Sequence, residues 1–252
     1  MSALISLNDV CKSFGGIVVA DHISLDIQRG EILGLIGPNG AGKTSLFNLI
    51  SGVYPADSGS ISVSGQSLDG LNIHARARLG VARTWQHMRL FASMGVLENL
   101  LVAPRDYPGE KISNIIFKPQ QTAAINHAMR ERAMGILQRM HLESIAHSNV
   151  NDITFGQQKL VGLARALMND GECLLLDEPM AGVEGNAYET MKSIVREEAA
   201  GGRAVCVVEH NVSFIKDLCN SAVFMASGKI LERGSVDSLL ASKTLADLYF
   251  GA

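Results

Sequence analysis

A chain of 252 residues with 47% hydrophobic composition is long enough for one large domain or a core with a subdomain, which excludes a disordered chain. The net charge of −3, with both signs interleaved, excludes a broad basic face for nucleic acid. The four cysteines, at 11, 173, 206 and 219, show no C-x-x-C and no regular spacing, so they read as reduced, mostly buried thiols and not as disulfides or a zinc site.

The opening MSALISLNDV lacks a basic n-region, a long apolar stretch and a cleavage pattern. No apolar run approaches the ~20 residues that span a bilayer, so a soluble, cytoplasmic chain is expected. Before residue 30, ISLNDV, GIVVA and HISLDIQ, followed by GSISVSG at 59–65, predict short antiparallel strands separated by glycine turns. EILGLIG (31–37), CLLLD (173–177), AVCVVEH (204–210) and SAVFMAS (221–227) are near-continuous apolar runs, the pattern of parallel strands covered on both faces, with helical crossovers between them. The most basic stretch, HARARLGVAR at 74–83, reads as a solvated helix face without a function of its own. Between about 90 and 155 the strand signal disappears and QQTAAINHAMRERAMGILQRMHLESI carries helical periodicity, which predicts a helical insertion. In GQQKLVGLARALMND, apolar residues recur at helical spacing from Leu160 to Met168, so a helix is expected from about Gly156.

Chemistry enters at GPNGAGKTS. Gly37, Pro38, Asn39, Gly40, Ala41, Gly42, Lys43, Thr44 and Ser45 follow an apolar strand and lead into a helical segment, so G-x-x-x-x-G-K-[ST] stands in the context that makes it a phosphate-binding loop. Glycines let backbone N–H groups turn toward phosphate oxygens, and the helix N-terminus adds about half a positive charge there. Lys43 is placed to bridge the β- and γ-phosphates, and the Thr44 hydroxyl to ligate Mg²⁺. A glycine turn with a solvent lysine is the bland alternative, and strand, motif and helix together disfavour it.

CLLLDEP ends an apolar strand in two adjacent carboxylates. Asp177 suits the magnesium shell, and Glu178 suits a general base beside the γ-phosphate, a role worth about 10²–10⁴ in rate. His210 follows another apolar strand and so emerges at the same sheet edge. Read alone, His210 is an ordinary hydrogen-bonding histidine, Gln86 a surface amide, and Phe14 as fit for core packing as for stacking on adenine. DITFGQQ, read alone, is a helix cap in which Asp152 or Thr154 satisfies free N–H groups.

Taken together, these residues resemble the ATP-binding subunits of ABC transporters over essentially the whole chain. The motifs stand in that family's order: Walker A at 37–44, Q-loop Gln86, signature at 153–157, Walker B at 173–177, Glu178, a D-loop at about 181–184, and the switch histidine His210. The resemblance implies an α/β P-loop NTPase fold with a mostly parallel central sheet, an N-terminal antiparallel β subdomain and a helical subdomain inserted at about 88–160 of a single 1–252 domain. It implies Gln86 beside Thr44 and Asp177 as a metal ligand, His210, Lys43 and Gln86 with Glu178 in hydrolysis, and Phe14 at the base. It also implies that two subunits, identical or related, meet head to tail, so that Thr154, Phe155, Gly156 and Gln157 of one close over the ATP held by the other. Transmembrane permease subunits, indirectly a solute-binding protein, and a place on the inner face of the bacterial cell membrane complete the expectation.

Within the family, ARTWQHMRLFASMGVLENLLVA, TFGQQK, DEPMAGV, VVEHN and the ending LADLYFGA resemble the branch that imports branched-chain and other hydrophobic amino acids. The signature departs from the usual Leu-Ser-Gly-Gly-Gln, Trp85 stands where the branch has Phe, and Glu184 takes a place usually held by Asp or Asn. The ATPase of lipopolysaccharide export is the sibling alternative, although it typically carries a Gly-Gly signature. A soluble ABC protein of translation or repair would join two ATPase halves or insert a long coiled coil, and a regulator without turnover would not need Lys43, Asp177 and Glu178 together.

Overall fold

The structure, a computed structural model, describes residues 3–86, 88–105, 107, 109 and 112–242. The ending LADLYFGA lies outside the described residues. The chain divides into one unit built from Met1–Gln86, Gly171–Ala181 and Val195–Ala252 and another built from His87–Asp170 and Gly182–Ile194.

The first unit holds two sheets. Strands β1 (Ile5–Phe14), β2 (Ile17–Ile27), β4 (Ser58–Val63) and β5 (Gln66–Ser67) form an antiparallel sheet in the order β2-β1-β4-β5. GIVVA and HISLDIQ, expected as separate strands, are one strand: the interruption is absorbed by register shifts in the β1–β2 ladder, with Asp9 and His22 both at φ 53. Such bulges bend a strand without ending it. Here Asp9 Oδ1 lies 2.6 Å from His22 Nδ1.

The second sheet runs β10-β9-β3-β8-β7-β6. Strands β3 (Ile32–Ile36), β6 (Val81–Arg83), β7 (Cys173–Asp177), β8 (Ala204–Val208) and β9 (Ser221–Ala226) are parallel, and β10 (Lys229–Gly234) closes the edge antiparallel to β9. Every residue of β3, β7 and β8 is buried, which is why these strands read as unbroken apolar runs. Because β3 lies between β8 and β9, the strand order is broken at its carboxyl end, the place where open α/β sheets hold their ligands. Helix α1 (Lys43–Ser51) leaves from that end, and α2 (Ile73–Arg78) precedes β6.

The solvated reading of residues 74–83 is corrected at two positions. Arg76 is buried and donates through Nη1 to the carbonyls of Leu49 and Ile50 and through Nε to that of Leu71. It thereby adds a donor to two carbonyls of the last turn of α1, where helical partners run out. The Arg83 side chain is turned inward as well, on a three-residue strand too short to show a period. Of the four thiols, Cys173 and Cys206 are buried and Cys11 and Cys219 half-buried; burial pushes the Cys219 thiol up to about 12.

The second unit is helical, with α3 (Val96–Leu101), α4 (Ile112–Phe117), α5 (Pro119–Arg139), α6 (Phe155–Met168) and α7 (Asn186–Ala200), whose residues beyond Ile194 belong to the first unit. Asn99, fully buried, pins the segment before α3 by accepting from the Phe91 N–H at 2.8 Å and donating to the Gly95 carbonyl at 3.0 Å. Arg165 on α6 donates to the carbonyls of Met88 and Arg89, each at 2.7 Å, holding the chain just after Gln86. Among the described residues no helix is long and apolar enough to cross a membrane.

Candidate nucleotide site

The loop between β3 and α1 is shaped by its surroundings. Gly37 (φ 147) and Gly42 (φ 100) have backbone conformations that side chains avoid, and a Cβ on either would fall 2.0 Å from the Met225 carbonyl oxygen or 2.4 Å from that of Val19. Both glycines are therefore required by the fold before any phosphate is considered. Lys43 is buried at the start of α1 and donates to the carbonyls of Gly37 at 2.7 Å and Pro38 at 2.9 Å, so its ammonium is held inside the loop. Burial pushes that ammonium below the ordinary lysine range, and the charge of Glu178 opposes the shift. Thr44 is exposed on the first turn.

At the end of β7, Glu178 departs from strand alternation with φ 46, a left-handed conformation rare outside glycine, while its N–H donates to the Val208 carbonyl at 2.9 Å. The turn brings its carboxylate between two of the residues expected around it. Gln86 Nε2 donates to Oε2 at 3.1 Å, and His210 Nε2 lies 3.1 Å from Oε1. Asp177, one residue earlier, is buried; its Oδ2 accepts from Arg83 Nη2 at 2.8 Å, and its N–H donates to Thr84 Oγ1 at 3.1 Å. Its other oxygen, Oδ1, is buried with no hydrogen-bond partner among the described residues, the condition expected of an oxygen reserved for a cation. The donor set of carboxylate, hydroxyl and amide oxygens suits Mg²⁺.

Phe14 closes β1 half-exposed at 44%, with Tyr54 edge-on at 4.9 Å and the Lys12 ammonium 5.0 Å from its ring centre. It is a surface ring steadied by neighbours and not a core residue.

The signature segment opens α6 in the second unit. Thr154 is the N-cap: its hydroxyl accepts from the Gln157 N–H at 3.3 Å, and Gln157 Oε1 accepts from the Thr154 N–H at 2.9 Å, a reciprocal capping box. Asp152, the other candidate cap, does not fill that role. Phe155 is 49% exposed, and a Cβ on Gly156 would approach Ala187 Cβ at 3.1 Å. Packing against α7 is thus by itself a reason for glycine there.

Two residues escaped the sequence reading. Glu209, buried beside His210, accepts from the Met180 N–H at 2.7 Å through Oε1 and from the His210 N–H at 3.2 Å through Oε2. It ties the chain after Glu178 to the chain at His210; an acid at the end of an apolar strand was its only signal. Arg83 is the other, hidden within a run of exposed-looking basic residues.

A glycine loop leading into a helix at the end of a parallel strand, beside adjacent strand-end carboxylates, defines a P-loop nucleoside triphosphatase. The ABC transporter family profile matches residues 20–181, and the chain belongs to that family of ATP-hydrolysing transporter subunits. It is 31% identical over 249 residues to a probable branched-chain amino acid transport ATP-binding protein, LivG, of Archaeoglobus fulgidus, covering 99% of this chain and 96% of that one. It is 29% identical to the lipopolysaccharide export system ATP-binding protein LptB of Escherichia coli, covering 99% and 98%. A nucleotide-free ATP-binding cassette from an ABC transporter superposes with a TM-score of 0.86 at 27% identity, covering 99% of this chain and all of that one.

Proposed function

We propose that the chain powers import of branched-chain or other hydrophobic amino acids by binding and hydrolysing ATP at an interface shared with a second ATPase subunit. The observation that carries the hydrolytic part is Glu178 held between Gln86 and His210, with its charge felt at Lys43. In this reading the loop 37–45 holds the phosphates, Phe14 stacks on adenine, and Thr44, Asp177 and Gln86 hold Mg²⁺. The cation would neutralise phosphate charge as the leaving group departs. Glu178 orients a water and takes its proton, His210 and Gln86 fix the carboxylate, and Thr154–Gln157 of one copy meet the γ-phosphate held by the other.

The cargo reading is supported by the near full-length likeness to LivG and by the segments around Gln86 and the signature. Permease subunits, a solute-binding protein, a single 1–252 domain and a place on the inner face of the cell membrane belong to the same proposal. The similar coverage by LptB keeps lipopolysaccharide export as the second reading. Uptake of labelled leucine by cells lacking the gene decides between them: loss of uptake restored by wild type but not by Glu178→Gln supports import, and normal uptake with defective lipopolysaccharide transport selects the second reading.

A further inference from the structure

We propose that Arg83 is a positioning residue for the cation: one guanidinium fixes the spacing between the helix that carries Thr44 and the strand that carries Asp177. The inference rests on the reading of Thr44 and Asp177 as cation ligands. Its physical basis is the fork of the side chain. Nη2 donates to Asp177 Oδ2 at 2.8 Å, while Nη1 donates to Asn48 Oδ1 at 2.7 Å and Ser51 Oγ at 2.9 Å, both on α1. The guanidinium also lies 4.5 Å from the centre of the Trp85 ring and 5.6 Å from that of Phe47. With the Arg83 side chain 5% exposed and that of Asp177 1% exposed, the pair is shielded from water and from salt.

Two elements that supply cation oxygens are therefore joined through a rigid planar group and not through the backbone of either. One oxygen of Asp177 is occupied by that group, which fixes the carboxylate's rotation, and the other is left for the cation. Lysine would keep the charge, but its single ammonium cannot reach α1 and Asp177 in the same planar geometry or stack on Trp85. Groups that orient metal ligands typically change metal affinity by about 10- to 100-fold when altered.

The test is binding of Mn²⁺ in the presence of ADP, read by the loss of the free-ion electron paramagnetic resonance signal, together with ADP binding in EDTA. Arg83→Lys is expected to raise the Mn²⁺ concentration for half-saturation by about 10- to 100-fold while leaving cation-free ADP binding unchanged. A merely structural role would weaken both. The paired change Asn48→Ala with Ser51→Ala, which keeps the ion pair but loosens the guanidinium, is expected to give a smaller rise and serves if Arg83→Lys does not fold. Wild-type Mn²⁺ half-saturation in a folded Arg83→Lys protein, or in the paired variant if the first is unfolded, overturns the proposal. Asp177→Asn separates the two ideas: if it leaves Mn²⁺ binding intact, the assignment of Asp177 fails and this inference falls with it.

Discussion

Each oxygen of the Glu178 carboxylate has its own neighbour, and the residue is held in a backbone conformation that costs of order 1–3 kcal/mol. That arrangement suits a group whose direction matters more than its contribution to stability. Glu178→Gln keeps the shape and most hydrogen bonding but cannot take a proton, so steady-state hydrolysis should fall by about 10²–10⁴ while ATP binding persists. Equal turnover of the two proteins in a phosphate-release assay would remove the general-base role. Glu209 gives a pH signature. Burial raises its carboxyl above the usual range, with a smaller push from Glu178, against the N–H donors of Met180, His210 and Asn211. For an acid shifted upward, the unfolded chain ionises first, so the folded state loses stability as pH climbs from the ordinary carboxylate value through the raised one. Glu209→Gln removes that loss; its stability relative to wild type should improve as pH rises above the ordinary carboxylate range in urea titrations, and a flat difference would contradict the shift.

At the scale of elements, the start of α6 serves as a cap and as a proposed phosphate contact, and substitutions can separate the two. Thr154→Ala should cost about 0.5–2 kcal/mol of unfolding free energy by removing the capping hydroxyl, measured by denaturant melts. Gly156→Ala gains about 1 kcal/mol of helix propensity and loses a similar amount to crowding at Ala187, so stability should change by less than about 1 kcal/mol. A large loss of hydrolysis in that folded variant would come from the closed approach to phosphate, and full activity would leave the glycine with a packing role alone. The same scale shows what the sequence made legible. β3, β7 and β8 announce themselves because burial on both faces demands continuous apolar residues, and the loop before α1 because a strand, glycines and a helix must coincide. β6 gave no period in three residues, and its Arg83 looked solvated because charge in a sequence does not reveal the carboxylate it faces after a fold of 94 residues. Likewise a cap at Asp152 or Thr154 is legible in DITFGQQ, but the closeness of Gly156 to α7 depends on chain returning from residues 182–194.

For the whole molecule, the proposed completion of the site by a second copy has a kinetic consequence: specific hydrolysis should rise with protein concentration and level off as pairs saturate. A strictly constant specific activity across that range would show that one copy is sufficient. The walls of the phosphate loop point elsewhere. Their nearest atoms are main-chain carbonyls, at Val19 in one sheet and Met225 in the other, with Ala41 Cβ and Met225 Cε farther off at 3.4 and 3.5 Å. The mould is thus set first by where those two strands run, and only then by the Met225 side chain that backs Gly42. A proline that displaces either strand by an ångström would distort it from a distance, so inheritance must guard strand register here even where no nucleotide is touched.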